Sequence, residues 1–286
     1  MSYSLQSWIE QSETAQVDFA EFVLRFNESE QGLNRQTILD NMYASLEVMR
    51  NSIQVGLQGE ISRSGMVGGV AQRIQQSTER SIIGASMRNA VMRAIATGEA
   101  NACMGKIVAA PTAGASGILP AALFTLQDDF ALSNAQLVSA LVVAGGIGLV
   151  IAARASIAGA IGGCQAECGS GAAMAAGAAV YLLGGTPKQI GYAVAIALKN
   201  MMGLVCDPVA GLVEVPCIKR NAGAAAQALV AAELALLDVH SVIPVDEVID
   251  AMKQVGDALP NTLKETSQGG IAVTPTALEL HKKIFG

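Results

Sequence analysis

From about Leu5 to Arg50 the apolar residues return every three or four positions, as in Leu39, Met42, Leu46, Met49 and Ile53, with polar residues between them. That is the period of a helix with one apolar face, so amphipathic surface helices are expected. Glycines then gather in Ser64-Gly65-Met66-Val67-Gly68-Gly69, which reads as a loop or a close helix contact. A further helix is expected from about Thr78 to Thr97.

After Gly98 the pattern changes: residues 100–232 are rich in Ala, Gly and Val, and charges nearly vanish. Two alanine-rich helices are expected, over about 134–160 and 169–183, on either side of a Gly-Gly-Cys turn. Gly184-Gly185-Thr186-Pro187 stops the second, and Pro187 opens another through about Lys199. Near the end, Pro244 precedes a face of Val245, Val248, Ile249, Met252 and Val255, and a loop at Ser267-Gln268-Gly269-Gly270 leads to a short tail. No alternating pattern of useful length occurs, and the run Leu141 to Ala144 fits a buried helix as well as a strand. The expectation is an all-α fold, one large helical domain over residues 1–286 with Ala/Gly-rich helices in its interior.

Composition supports that picture, because 51% of residues are hydrophobic and only 4% aromatic, with 30 glycines, so packing relies on close backbone approach. The mean hydropathy of +0.42 raises the question of a membrane span, and Ala135 to Ala153 is long enough. It contains three glycines, Gln136 and Ser139, and no second segment matches it, so it reads as the centre of a helical bundle and no membrane partner is expected. A net charge of −6, with no Lys/Arg run longer than a pair, argues against nucleic acid. The polar, acidic start lacks a signal peptide, so a cytoplasmic setting is expected, where the five cysteines stay reduced rather than pair.

Candidate chemistry lies in three segments, GAIGGCQAEC (159–168), GLVCDPVAG (203–211) and VEVPCIKRN (213–221). Each sets a cysteine beside glycine or proline, which places Cys164, Cys206 and Cys217 at helix ends or turns, where free backbone N–H groups favour thiolates. Three thiolates are one short of a closed Cys₄ iron–sulfur centre and would leave one iron open. Cys168, four residues after Cys164, would complete a closed centre or be a packed neighbour. Cys103 reads as a small buried hydrophobe. His240 and His281 stand in no ligand-like motif.

With GKIVAAPTAGASGILPAAL (105–123), IGGCQAECGSGAAMAAGAAVYLLGGTP (161–187), KNMMGLVCDPVAGLVEVPCIKRNA (199–222) and LKETSQGGIAVTPT (263–276), the chain resembles the alpha chain of bacterial iron–sulfur L-serine dehydratases of the two-subunit type. The resemblance covers nearly everything after Ser64. It implies a [4Fe–4S] cluster held by Cys164, Cys206 and Cys217 in the helical domain, with Cys168 outside the ligand set. It also implies conversion of L-serine to pyruvate and ammonia. The chain departs from the family pattern at Ala158 and Ala160. The family's other half carries a Ser-Ser-Ser-His-Thr type loop absent from this sequence, so a separate beta subunit is the implied partner, in a hetero-oligomer of alpha and beta chains.

The catalytic base is not identifiable from the residues; Lys106, Lys199 and Lys219 are the lysines nearest the motifs. Polar groups beside glycines suit an amino-acid substrate, because glycine lets backbone N–H groups approach a carboxylate. The candidates are Ser64, Gly65, Gly68, Gly69, Asn101, Thr112, Gly114 and Ser116. Turn-forming or capping duty is the alternative for each polar one. Rival functions are a pyridoxal-phosphate dehydratase using Lys106, a sister activity such as cysteine desulfidation or threonine deamination, and a non-catalytic iron–sulfur scaffold or electron carrier. The first leaves the cysteine motifs unexplained.

Overall fold

A computed structural model describes residues 3–286, and among these the fold is all-α. The first layer is α1 (Leu5–Thr14), α2 (Phe19–Gln31) and α3 (Arg35–Gly56). Their starts are fixed chemically: Ser4, Asp18 and Asn34 each accept a hydrogen bond from a backbone N–H of the first turn. The few aromatic residues concentrate here, with Trp8 against Phe26 at a centroid distance of 4.3 Å. Leu46, Met49 and Ile53 of the expected apolar stripe are buried.

The glycine-rich segment 64–69 is a loop, closed by a bridge between Ile61 and Gly68. Gly68 has φ +133°, and a Cβ there would stand 2.2 Å from the Glu60 carbonyl oxygen, so only glycine fits. A short helix, α4 (Val70–Gln76), follows; at seven residues it is too short to give a periodic signal. The next helix, α5, runs Gly84–Ala102, later at both ends than its apolar spacing suggests.

The interior is built by α6 (Ile118–Phe130), α7 (Asn134–Arg154), α9 (Ser170–Leu182), α10 (Pro187–Met201) and α11 (Cys217–Leu236), with the single turn α8 (Gly159–Gly162) between α7 and α9. Capping boxes at Ser133/Gln136 and Thr186/Gln189 start α7 and α10. Every residue of α9 except Tyr181 is buried, and it packs against α6, α7, α10 and α11. Its alanines and glycines permit this: a Cβ at Gly177 would lie 2.3 Å from Ile147 of α7. The apolar α7 has the length and hydropathy of a membrane span, yet 67% of its most apolar window is buried within the protein.

Helix α7 ends at Arg154 rather than near residue 160, because Ala155 leaves helical geometry (φ −124°, ψ −120°) and an irregular segment leads to α8. Helix α12 (Val245–Ala258) buries Val245, Val248, Ile249 and Met252 as expected. The end of the chain differs from the expected short tail: Pro275 opens α13 (Pro275–Phe285), packed against the turn at 209–211.

Candidate metal centre

Four of the five cysteines converge. Cys164 follows Gly163 and leads into a π-helical turn, Gln165–Gly169, which carries Cys168 back beside it, the two sulfurs 3.4 Å apart. Gly163 is held at φ +75°, ψ −176°, a region essentially restricted to glycine, with the Leu204 carbonyl oxygen 2.9 Å from where a Cβ would be. Cys206 lies in the loop between α10 and α11. Its N–H donates to the Leu263 carbonyl (2.9 Å) and its carbonyl accepts from Glu265 N–H (2.8 Å), so the C-terminal loop braces it. Cys217 is the first residue of α11, at the positive end of that helix.

The sulfurs sense one another. Burial first, then Glu167 and Cys164, pushes the Cys206 thiol far up; burial, then Cys164, pushes Cys217 up to about 12. Cys164 is drawn down, by its contact with Cys168 against the effect of burial and with help from Arg220. A buried set of soft sulfur donors whose charges oppose one another is stabilised by a bound cation. One ion's worth of donor atoms, all within 4.8 Å, is met among the described residues by Glu167, Cys206 and Glu265.

Polar groups wrap this centre. Glu167 accepts a hydrogen bond from Thr112 Oγ1 (2.7 Å) at Oε1, and its Oε2 lies 3.8 Å from the Cys206 sulfur. Burial, and then Glu265, raises its carboxyl above the usual range despite the Thr112 bond. Gly114 and Gly159 leave the room it occupies, since Cβ atoms there would lie 3.1 and 2.6 Å from its oxygens. Arg220, one turn after Cys217, donates to the Val205 carbonyl (2.8 Å) and pairs with Asp207, and its positive charge favours the ionised form of Cys164. Asn221 donates to the Gly114 (2.6 Å) and Cys217 (2.9 Å) carbonyls and accepts from Gly117 N–H (2.9 Å).

The candidate substrate residues divide. Thr112 and Gly114 meet Glu167 at the cysteine centre. Gly65 and Gly68 line a separate cavity of about 240 Å³ with Glu99, Glu214, Arg73 and Lys219, bordering Cys217 through Pro216 and Ile218. Ser64 donates to Glu214, as does Ser62 at 2.9 Å. Gly69 caps α4 at φ +73°. Ser116 is buried with its hydroxyl bonded to the Ala113 carbonyl (2.8 Å), which is turn duty, and Asn101 stands half-buried on the last turn of α5 without lining the cavity. A larger hollow of about 560 Å³, beside Asp18 and Tyr181, holds none of these residues.

Two expectations are corrected or sharpened. Cys103 is not a buried hydrophobe; it is a half-exposed cap of α5, its sulfur 3.7 Å from the Glu60 carbonyl, because the helix ends there at the surface. The histidines are exposed, His240 stacked on Tyr192 (4.7 Å) and His281 against Phe285. Lys106, Lys199 and Lys219 are exposed as well. Sequence reasoning missed Glu167, Arg220, Asp207 and Asn221, although all four lie inside the cysteine motifs.

A family model described as serine dehydratase alpha chain matches residues 9–272. The chain is similar to the probable L-serine dehydratase, alpha chain, of Bacillus subtilis, 50% identical over 254 residues that cover 88% of this chain and 85% of that one. It is 42% identical over 250 residues to the L-serine dehydratase, alpha chain, of Peptoniphilus asaccharolyticus, covering 86% of each. Against the longer L-serine dehydratase of Mycobacterium tuberculosis it is 46% identical over 186 residues, 63% of this chain and 40% of that one.

Proposed function

The chain belongs to the serine dehydratase alpha-chain family, and we propose that it is the cluster-holding half of an L-serine ammonia-lyase, converting L-serine to pyruvate and ammonia by β-elimination of water. The observation that carries this reading is the convergence of Cys164, Cys206 and Cys217 from three separate segments onto one buried centre beside Glu167.

In this reading those three cysteines hold a [4Fe–4S] cluster. When bound, the cluster supplies a Lewis acid, an iron without a thiolate, suited to the carboxylate and hydroxyl of serine. The chain's own residues do the rest of the positioning. Gly163 and the 263–265 segment fix the directions of Cys164 and Cys206. Thr112 orients Glu167, and that pair forms the polar wall nearest the sulfurs. Gly65 and Gly68, with Glu214 and Lys219, line the neighbouring cavity, where Ser64 donates to Glu214, and its mixed charges match the ammonium and carboxylate of an amino acid.

A beta chain supplies the remaining substrate contacts, in a reducing compartment such as the cytoplasm, where these free thiols persist. The test is anaerobic co-purification with the beta chain, iron and sulfide analysis, and a pyruvate or keto-acid assay on serine, threonine and cysteine. Cluster content with turnover of serine above the other two is expected, and the chain alone should bind a cluster yet turn over poorly. A chain that holds no iron, or full activity without a partner, would overturn the corresponding half of the reading.

A further inference from the structure

Glu214 lines the cavity of about 240 Å³ beside the cysteine centre and is only 7% exposed, yet among the described residues no lysine or arginine pairs with it. Arg220 is committed to Asp207, while Lys219 and Arg73 line the same cavity from exposed positions. Ser62 and Ser64 both donate to Oε2, which leaves Oε1 without a donor among the described residues. The second buried carboxylate of the cavity, Glu99, differs in this respect. Its two oxygens each accept from a backbone N–H, that of Val70 at 2.8 Å and that of Ala71 at 3.2 Å.

Burying a carboxylate is costly unless a positive group or hydrogen-bond donors compensate it. Around Glu214 the walls include Met66, Ile95 and Ile218, and in such apolar surroundings a charge-assisted hydrogen bond is stronger than in water. The cavity therefore has one strong polar vacancy, a carboxylate oxygen that fits a cationic donor. Its volume suits a small molecule.

We propose that Glu214 is a substrate-binding residue, its Oε1 accepting a hydrogen bond from the ammonium of the amino acid, and that this contact makes a free amino group a requirement for binding. An amino acid held in this way keeps its hydroxyl and carboxylate for the cysteine centre, which the cavity borders through Pro216 and Ile218. The inference deepens the serine reading above and rests on it.

The iron-loaded complex with the beta chain is compared with its Glu214→Gln and Glu214→Asp forms, on serine and against two fragments of serine. Ethanolamine keeps the ammonium and lacks the carboxylate; β-hydroxypropionate keeps the carboxylate and lacks the ammonium. Glutamine has nearly the same shape and its amide oxygen still accepts from Ser62 and Ser64, so iron content and melting temperature are expected near the wild type. Loss of a hydrogen bond between charged groups weakens binding by about 10- to 100-fold. A rise of that size is expected in Glu214→Gln for the KM of serine and for the inhibition constant of ethanolamine, with kcat little changed and β-hydroxypropionate inhibiting as in the wild type. Glu214→Asp, which keeps the charge, is expected to lie between the two. Calorimetric titration of the metal-free complex with ethanolamine reads the same contact without turnover, and its binding heat is expected to vanish in Glu214→Gln.

An unchanged KM in Glu214→Gln, or an equal loss of both fragments, overturns the inference. So does a wild type that ethanolamine neither inhibits nor binds, whichever variants fold. A potassium requirement that Glu214→Gln abolishes would give the carboxylate to a metal cation and also overturns it. A wild-type complex that holds no iron or leaves serine unconverted overturns instead the reading on which the inference rests, so the two failures stay distinct.

Discussion

Arg220 of α11 holds Asp207, the residue after Cys206, in an ion pair of 2.9 Å with the Asp207 side chain only 3% exposed. The other Asp207 oxygen accepts from Ile271 N–H at 2.8 Å, so one carboxylate joins the first turn of α11, the Cys206 loop and the C-terminal turn. Removing one member of a buried pair leaves an uncompensated charge, at a cost of about 3–5 kcal/mol. Asp207→Asn is therefore expected to lower the melting temperature clearly and to release the cluster faster under chelator. An unchanged melt would remove Asp207 from the framework of the centre.

Gly163 makes a separate test of local geometry. Its φ and ψ of +75° and −176° cost other residues about 1–3 kcal/mol, and a Cβ would also press on Leu259 at 2.7 Å. Gly163→Ala is expected to lose stability by that order and to misdirect Cys164, read as reduced iron content per chain. The same change at Gly145, where a Cβ meets nothing within 4 Å, is expected to leave both nearly as they were.

Those two residues also mark what was legible in the sequence. Gly163 belongs to a Gly-Gly pair that breaks two alanine-rich runs, and glycine or proline beside Cys164, Cys206 and Cys217 gave away the turns at which these cysteines sit. The helical interior was legible for a similar reason, since α7 and α9 are apolar for longer than a strand requires. Asp207 and Arg220 were not, because a single charged residue in a motif looks the same whether it faces solvent or a buried partner. Only the fold brings residues 164, 207 and 220 together. Helix α4 is only seven residues long, so the apolar face of Val70, Ala71 and Ile74 makes too short a stripe to register, and its start is held from outside, Glu99 accepting from the Val70 and Ala71 N–H groups at 2.8 and 3.2 Å. Cys103 was misplaced because composition does not say which end of α5 reaches the surface.

At the opposite end of the chain, Glu21 of α2 offers a pH test away from the cysteines. Burial alone would raise its carboxyl, but hydrogen bonds from Arg25 and Arg35 outweigh it and hold the group below the usual range. A carboxyl lowered on folding stabilises the protein above its unfolded value, and that contribution fades as the pH falls through the folded value. All three side chains are partly exposed, so the effect is small, about 0.2–1 kcal/mol. Wild type is expected to melt slightly above Glu21→Gln near neutral pH, with the gap closing below about pH 4. A gap independent of pH would assign the effect to packing.

Thr112 is expected to matter for rate more than for stability. Its hydroxyl donates to Glu167 Oε1 at 2.7 Å, and Thr112→Val leaves that half-buried oxygen without its donor while keeping nearly the same shape. A lost donor to a buried acceptor costs about 1–3 kcal/mol. Expressed in a reaction that depends on Glu167, that is a fall of about 5- to 150-fold in kcat/KM, measured on serine with the beta chain present. Unchanged kinetics would place Glu167 outside the reacting region.

The ligand assignment is tested by substituting each cysteine with serine under anaerobic conditions. A serine hydroxyl is harder than a thiol and poorly ionised near neutral pH, so it replaces a thiolate on iron badly. Cys164→Ser, Cys206→Ser and Cys217→Ser are each expected to lose most of the cluster absorbance and nearly all turnover of serine. The cost to the apo-protein should differ among them, because Cys164 and Cys206 are buried and Cys217 keeps partial access at the start of α11. Melting the metal-free variants therefore separates lost packing, of about 1 kcal/mol for an ordinary substitution, from lost ligation. Cys103→Ser is the internal control: half-exposed at the end of α5 beside the Glu60 carbonyl, it should retain cluster and activity. Retention of the cluster by any one of the three, with the metal-free protein folded, would remove that cysteine from the set and leave its neighbours Glu167 and Glu265 as the donors to examine around Cys206.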